Sequence, residues 1–555
     1  MTTQQFRTKT VAASAIALAA VFTVTLTSSP GVTAATKAAG APASCSKKGG
    51  TFTDNWNLSS ANPEHLDPGL NTELIGAQIN NMMFDGLTRA DGVTGETKPD
   101  VAESWKVSSD GLSWTFKLRK GVKFSSGEDV LPSSFKKSWD LNASPKYASE
   151  YAGLAEVIKG SKDVADGKAT ELGVTADDAA MTLTVNLENP YGLLAERMTH
   201  NFFFAKPKEA LEKGKDWENS STVVGNGAFK LDKAEKDQQY KFVRNESYFG
   251  GIYGRAACLD AVVMRVSKDP QSAFADFEAG NSQNGIIPVG KFSSATSKYG
   301  DKATRAVLST TWVGFNWRNP EVGGISNSKL RSAIGNAIDR DAINKVVYDN
   351  SRRVATGLTP EGIPGFRSAL TKNFQSGGAN VALAKKQLKE FGKPAPEIRF
   401  WFRNNSTEST IAQLVQANLK VVGINVKLEP QPGTGYFGRV RKENPQMFLN
   451  GWIWDYAGYD NGANELFHSK DNFDASNNLS DFSAPTFDKL TDAGLKESNP
   501  VKSAKLYNQA ETFLLNSGVI VPTFHGRFQM VLANNVDFYP QGALGFVEYA
   551  LVTLK

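Results

Sequence analysis

The sequence predicts an α/β protein built from two or three domains. Its 555 residues exceed what one hydrophobic core normally supports, and chains of this length divide into several domains. Hydrophobic residues make up 40% of the chain and charged residues 21%, which is the composition of an ordinary globular protein. After a break at Asp269 and Pro270, helical periodicity alternates with short strand patterns, as is typical of an α/β domain.

The N-terminus, residues 1–34, has the features of an export signal peptide. Arg7 and Lys9 precede an uncharged apolar run at 11–26, and small residues after that run form an acceptable cleavage site. The run is too short for a comfortable membrane span, and no later segment resembles one. We therefore expect an exported protein that begins with a flexible polar stretch at 35–48.

The part of the chain before Asp269 is rich in strand patterns. Apolar and polar residues alternate at 114–118 and at 181–187, and Asp110-Gly111 supplies a tight turn for a hairpin. Helical spacing is found at 74–84. Further elements are a helix opening at 133–139, strands at 240–243 and 259–266, and a turn leading into a strand at 225–231.

The part after Pro270 is predicted to alternate helices with strands. The helices are at 271–279, 329–348, 380–391, 410–422 and, last, 504–515. The strands are at 312–317, 397–402, 425–428 and 447–453, followed by 519–522 and two terminal strands.

The chain has only two cysteines, Cys45 and Cys258, and two interpretations compete for the first. A lipid anchor on Cys45 would require a large aliphatic residue three positions earlier, where Pro42 stands. A Cys45–Cys258 disulfide would be stable outside the cell. The sequence favours the disulfide and leaves the anchor open.

No catalytic or metal-binding motif is present in the sequence. Its four histidines lack metal-ligand spacing, and no zincin, nucleophile-elbow or Walker motif occurs. The net charge of +5 is small and no Lys/Arg cluster occurs, so we expect no nucleic-acid partner. We expect no enzyme, no cofactor and no metal. A secreted hydrolase stays an alternative, because a carboxylate pair such as Glu443 and Asp455 is compatible with glycoside hydrolysis.

One acidic residue, Asp455, stands among the aromatic side chains Trp452, Trp454 and Tyr456, where a strand runs into a Gly/Asn-rich loop at 458–462. Aspartate is rarely buried unless it is paired. A carboxylate in such an apolar slot is well suited to binding an ammonium group. The alternative is an ordinary aspartate that opens a loop.

Several segments in a fixed order carry a resemblance to a known family. The longest of them is 101–127. Among the shorter ones are Leu-Asp-Pro at 66–68, Met-Phe-Asp-Gly-Leu at 83–87, and Gly-Trp followed by Asp-Tyr at 451–456. The others lie at 225–230, 313–316, 330–334, 337–340 and 423–428. With these segments the chain resembles the peptide-binding family of ABC-importer solute-binding proteins, extracytoplasmic family 5.

The resemblance implies a two-lobe periplasmic-binding-protein fold, type II-like, with an extra domain inserted in the first lobe. Domain I would comprise 49–66, 188–268 and 522–555, domain II 67–187, and domain III 269–521.

The resemblance also implies a function. An extracytoplasmic protein of this family would capture oligopeptides in the cleft between the lobes and deliver them, as a monomer, to the permease subunits of an ABC importer. Asp455 would pair with the ligand's α-ammonium group. Trp452, Trp454, Tyr456, Asn316 and Trp317 are assigned to the same ligand-binding site.

Three points stay open at the sequence level. Leu449 and Val440 stand where some oligopeptide binders carry an arginine for the ligand carboxylate, so ligand length is not predicted. The fold could instead bind an oligosaccharide, a metal chelate or an opine-like compound, or serve as a peptide-signal receptor. The exported protein could also be tethered to the membrane through its N-terminus.

Overall fold

The structure is a computed structural model of the chain. It describes residues 45, 48–55, 62–92, 96–219, 223–251, 256–267, 269–288, 290–300, 304–363, 365–368, 377–433, 435–471, 477–497 and 499–555. The predicted signal peptide and nearly all of the predicted flexible stretch lie outside the described residues. Within the described part of the chain, no helix combines the length and hydropathy needed to cross a bilayer.

The strands are numbered in chain order. They are β1 Thr51–Asp54, β2 Thr88–Ala90, β3 Thr97–Pro99, β4 Ala102–Val107, β5 Ser113–Leu118, β6 Val174–Asp177, β7 Thr182–Asn186, β8 Phe229–Glu235, β9 Gln239–Arg244, β10 Ala261–Arg265, β11 Asn284–Ile286, β12 Thr304–Phe315, β13 Arg353–Val354, β14 Ile398–Arg403, β15 Val426–Gln431, β16 Met447–Ile453, β17 Ile520–Leu532, β18 Val536–Phe538 and β19 Thr553–Leu554.

The α-helices are numbered in the same way. They are α1 Leu74–Met83, α2 Pro132–Ala143, α3 Ser161–Ala165, α4 Leu194–Arg197, α5 Lys208–Lys213, α6 Pro270–Glu278, α7 Phe292–Tyr299, α8 Ser328–Ala337, α9 Arg340–Tyr348, α10 Val381–Phe391, α11 Ser406–Val421, α12 Tyr436–Glu443, α13 Asp460–Phe467, α14 Pro485–Lys496 and α15 Pro500–Ser517.

Two four-stranded sheets form the first lobe. In one, of order β1-β10-β9-β8, β1 runs parallel to β10 and the other neighbours are antiparallel. The other, of order β4-β5-β7-β6, is antiparallel throughout and contains the predicted hairpin. Gly111, with φ +73°, lies in the left-handed region that the hairpin turn requires. Residues of both sheets, such as Phe52 and Phe116, belong to one hydrophobic core.

A mixed seven-stranded sheet forms the second lobe. Its order is β11-β17-β12-β16-β14-β15, with β13 paired to β17. β14 is parallel to β15 and β16, whereas β12 is antiparallel to β16 and β17. Helices pack around this sheet over a second large core. The predicted α/β class is thereby confirmed.

Some predicted boundaries differ from the structure. The predicted helix at 329–348 is two helices, because the side chain of Asp339 accepts a hydrogen bond from the Ala342 amide and caps α9. The predicted loop at 458–462 becomes helical from Asp460 onward. The predicted domain boundary at 522 falls inside β17, which pairs with β12 as far as Gln529.

The structure joins Cys45 to Cys258 in a disulfide, with a Cα–Cα distance of 5.3 Å. Nearby, the Gly49 amide donates to the Cys258 carbonyl at 2.8 Å, and the Cys258 amide donates to the Ala550 carbonyl at 2.9 Å. Cys45 and Gly49 are thus held to Cys258, which leads into β10, and Cys258 is in turn held to the C-terminal segment.

Candidate ligand-binding site

A cavity of about 400 Å³ lies between residues of the two cores. This volume is within the range of pockets that hold small ligands. Most of the lining comes from residues 71–100 and 199–204, the end of β16 with Asp455, and the C-terminal segment at 542–548, and Tyr151, Arg403 and Phe437 complete it. Gln78 in α1 fixes that last segment, since its side-chain amide exchanges two hydrogen bonds, of 2.9 and 2.7 Å, with the backbone of Val547.

The position of Asp455 is set by the end of β16 and the start of α13. Thr310 in β12 pairs with Trp452 near the end of β16, which directs the following residues to the cavity. Asn461, in the first turn of α13, accepts from the Asp455 amide at 2.9 Å and from the Trp452 indole at 3.0 Å. Its Nδ2 donates to Asp455 Oδ2 at 2.8 Å. One asparagine therefore orients both the carboxylate and the adjacent indole ring.

The Asp455 carboxylate is surrounded by neutral groups. Its side chain is 15% exposed, and the Tyr151 hydroxyl donates to Oδ1 at 3.3 Å. Within the described part of the chain, no lysine or arginine forms an ion pair with it. Burial raises the pKa of Asp455 to about 6, against the hydrogen bonds from Asn461 and Tyr151, which lower it. The cavity thus contains a carboxylate whose charge the protein itself does not neutralise.

His200 lies beside this carboxylate but carries no charge. Its Nε2 is 3.9 Å from Asp455 Oδ1, and its ring meets the Tyr151 ring edge-on at 4.6 Å. The Phe202 amide donates to Nδ1 at 3.1 Å, so the neutral imidazole has its proton on Nε2. Burial, with the positive charge of Arg197, lowers the pKa of His200 to about 3. The imidazole is therefore neutral at physiological pH.

The three predicted aromatic neighbours have different positions. Trp452 and Trp454 both line the cavity, the first half-buried and the second 1% exposed. Tyr456 is fully buried and does not line it, because its hydroxyl donates to Asp460 Oδ2 at 2.7 Å, away from the cavity.

The structure places Asn316 and Trp317 away from the cavity lining. Asn316 is fully buried, where its amide donates to Asn444 at 3.0 Å and its carbonyl accepts from the Arg318 amide at 2.9 Å. The Trp317 ring contacts Phe482, with ring centroids 4.8 Å apart. Both residues stabilise a loop of the second lobe, and they are not brought together with Asp455.

A buried ion pair connects the lobes beneath Asp455. Arg197 Nη2 is 2.7 Å from Asp460 Oδ2, and both side chains are 1% exposed. The hydroxyls of Tyr191 and Tyr456 donate to the same oxygen at 2.8 and 2.7 Å. The guanidinium group lies over both tyrosine rings, with its central carbon 5.1 and 5.4 Å from their centroids.

Sequence reasoning missed Tyr151, His200, Asn461 and the Arg197–Asp460 pair. Asn461 stood in the segment interpreted as a loop, where its spacing of six residues from Asp455 offered a weak signal. The other contacts join distant parts of the chain, and no local pattern indicates them.

A carboxylate in a cavity between two α/β lobes is the arrangement of a solute-binding protein. The chain belongs to the bacterial extracellular solute-binding proteins, family 5, whose middle region matches residues 96–474.

Individual relatives span nearly the whole chain. The oligopeptide-binding protein OppA of Bacillus subtilis is 26% identical over 494 residues, covering 86% of this chain and 88% of the relative. The probable deoxycholate-binding periplasmic protein YgiS of Escherichia coli is 27% identical over 491 residues, covering 86% and 89%. The solved murein tripeptide-binding protein MppA of Escherichia coli is 25% identical with a TM-score of 0.80, covering 92% of this chain and 99% of the other.

Proposed function

We propose that this exported protein captures short peptides in the interlobe cavity and delivers them, as a monomer, to the membrane subunits of an ABC importer. The observation that carries the proposal is the Asp455 carboxylate, which lies in the cavity among neutral partners. A ligand ammonium group would supply the missing positive charge in a water-poor site, where a charge pair is strong. The peptide-binding relatives support the same ligand class.

The size of the cavity supports a short ligand. About 400 Å³ is near the lower end of the range for small-molecule pockets, so a peptide of a few residues fits better than a long one. Val440 and Leu449, which replace the arginines of some relatives, are buried and absent from the lining, so they offer no charge for a ligand carboxylate.

Other functions have less support. An uncharged oligosaccharide would leave the desolvated Asp455 unpaired, and an anion such as a bile acid would be repelled by it. Glu443, considered above as half of a hydrolase pair, does not line the cavity. We infer a binding protein rather than an enzyme. Its N-terminus is either free or tethered to the membrane.

The test compares a free tripeptide with its N-acetylated form by calorimetry. We expect Asp455→Asn to weaken binding of the free peptide by about two to three orders of magnitude, since one partner of a buried charge pair is lost. The acetylated peptide should bind the unmodified protein just as weakly. Asp232→Asn, which removes an exposed carboxylate paired with Lys241, is the matched control and should bind normally. Equal affinity for both peptides would refute the ammonium pairing.

A further inference from the structure

Five large apolar side chains that line the cavity are incompletely covered by the protein. Phe437 is 40% exposed and Ile453 is 36% exposed. Neither belongs to a hydrophobic core within the described part of the chain. Leu74, Trp452 and Phe546 are half-buried. Single exposed apolar residues are common on protein surfaces, whereas several of them grouped in one groove indicate a surface that binds something apolar.

These side chains come from both lobes. Leu74, the first residue of α1, packs against the core of the first lobe. Trp452 and Phe546 pack against the core of the second lobe. Phe437 lies in the first turn of α12, and Ile453 is the last residue of β16. An apolar ligand group in the cavity would therefore contact apolar surface of both lobes.

The apolar surface lies within reach of a ligand that pairs with Asp455. Ile453 precedes Asp455 by two residues, and the Trp454 amide donates to the Leu308 carbonyl at 2.7 Å, so the backbone between them continues the strand. Two residues of extended chain span about 7 Å. An extended peptide covers the same distance with two of its own residues. One of the first three side chains of a peptide held at Asp455 would therefore reach this surface.

We propose that the cavity selects short peptides with a large apolar side chain, such as leucine or phenylalanine, among their first three residues. The proposal rests on the proposed peptide-binding function and specifies its ligand class. Phe437 and Ile453 are the specificity residues, because they are the most exposed of the five side chains. A ligand side chain that packs on them removes apolar surface of both partners from water, which favours binding.

The first experiment measures binding of tripeptides by calorimetry. Leucine, phenylalanine or lysine replaces each residue of trialanine in turn. We expect leucine or phenylalanine at one position or more to bind at least about tenfold more tightly than trialanine, because more apolar surface is buried. The heat capacity change on binding should also be more negative for these peptides. Equal affinities for trialanine and every leucine and phenylalanine peptide, or a lysine peptide that binds most tightly, would overturn the proposal and leave peptide binding intact.

The second experiment locates the selectivity. Phe437→Ala and Ile453→Ala should each weaken binding of the preferred peptide several-fold more than binding of trialanine. Ile325→Ala removes the same side chain as Ile453→Ala from a site that is 63% exposed and outside the lining, so it should change neither affinity. An unchanged preference in both cavity variants would overturn the assignment of the selectivity to this surface.

A third arm separates peptides from other apolar ligands. Deoxycholate has a large apolar surface but no ammonium group and no peptide bond. Tight deoxycholate binding together with failure of every tripeptide would refute the peptide function and, with it, the ligand class proposed here. Preference for the leucine or phenylalanine peptides without deoxycholate binding supports both proposals.

Discussion

At the scale of single residues, the charge of Asp455 governs how binding should depend on pH. Tyr151 and His200 are neutral near pH 7, and Asn461 does not titrate, so a ligand ammonium group meets one ionised partner here. Protonating Asp455 removes the attraction. Because its pKa is about 6 without ligand, affinity should fall about tenfold for each pH unit below that value.

Calorimetry between pH 4.5 and 9 checks this by measuring the affinity for a tripeptide whose side chains carry no charge. We expect a plateau between about 6 and about 8, because the α-amino group of the ligand loses its proton above about 8. The acidic limb should vanish in Asp455→Asn and persist in the control Asp232→Asn. An acidic limb that is unchanged in Asp455→Asn would assign the titration to another group.

The Asp455 residue was visible in the sequence because an acidic side chain among aromatics is unusual. The groups around it were not visible, because some of them are distant in the sequence. Tyr151, whose hydroxyl donates to Asp455, precedes it by 304 residues. Asn316 and Trp317 were assigned through a motif and its neighbour. A motif does not reveal whether a side chain faces a cavity or the interior, and the structure places both on the side of the core.

At the scale of elements, local patterns predicted what depends on local forces. The alternation in β5 buries Trp114, Phe116 and Leu118 as expected, because one face of that strand packs on the core. By contrast, the segment of α13 begins Asp-Asn-Gly, residues with weak helix propensity, and it was interpreted as a loop. Hydrogen bonds from the distant Arg197 and Tyr191 to Asp460, and the local ones of Asn461, stabilise the start of the helix there.

The Cys45–Cys258 disulfide should contribute to stability and not to ligand binding. It closes a separation of 213 residues, and a link of this kind typically contributes about 2–4 kcal/mol by restricting the unfolded chain. Replacing both cysteines by serine should lower the free energy of unfolding by that amount while peptide affinity stays unchanged, because neither residue lines the cavity.

Intact-mass spectrometry of the exported protein tests the pairing directly. Without reductant no thiol should react with an alkylating agent, and after reduction two should react. A mass increase matching two fatty chains would instead indicate a lipid on Cys45, and two reactive thiols before reduction would contradict both interpretations.

At the scale of the whole molecule, the lobes meet through contacts of unequal strength. The Arg197–Asp460 pair is excluded from water and bound by two tyrosine hydroxyls. The Lys470–Glu156 pair, by comparison, has side chains 37% and 28% exposed. Breaking the buried pair leaves the Arg197 charge with a weaker partner, the half-exposed Glu156, whose Oε1 is 3.9 Å from Nη2, whereas breaking an exposed pair costs little. The buried pair should therefore control how readily the lobes close over a ligand.

We expect Asp460→Asn to destabilise the closed form by about 3–5 kcal/mol. Ligand affinity should fall accordingly, because only the closed fraction of molecules offers both lobes to the peptide. Lys470→Gln, which removes the exposed pair with Glu156, is the control and should cost at most about 1 kcal/mol. Circular dichroism of each variant would show whether the lobes themselves remain folded.

Solution scattering with and without a saturating tripeptide measures the closure. The radius of gyration of the unmodified protein should decrease on binding, and the fluorescence of Trp452 and Trp454 at the cavity should change as water leaves. In Asp460→Asn the same decrease should require far more peptide. Tight binding with an unchanged scattering profile would mean that the ligand does not draw the lobes together, and a membrane partner would then have to recognise the loaded protein by some feature other than closure.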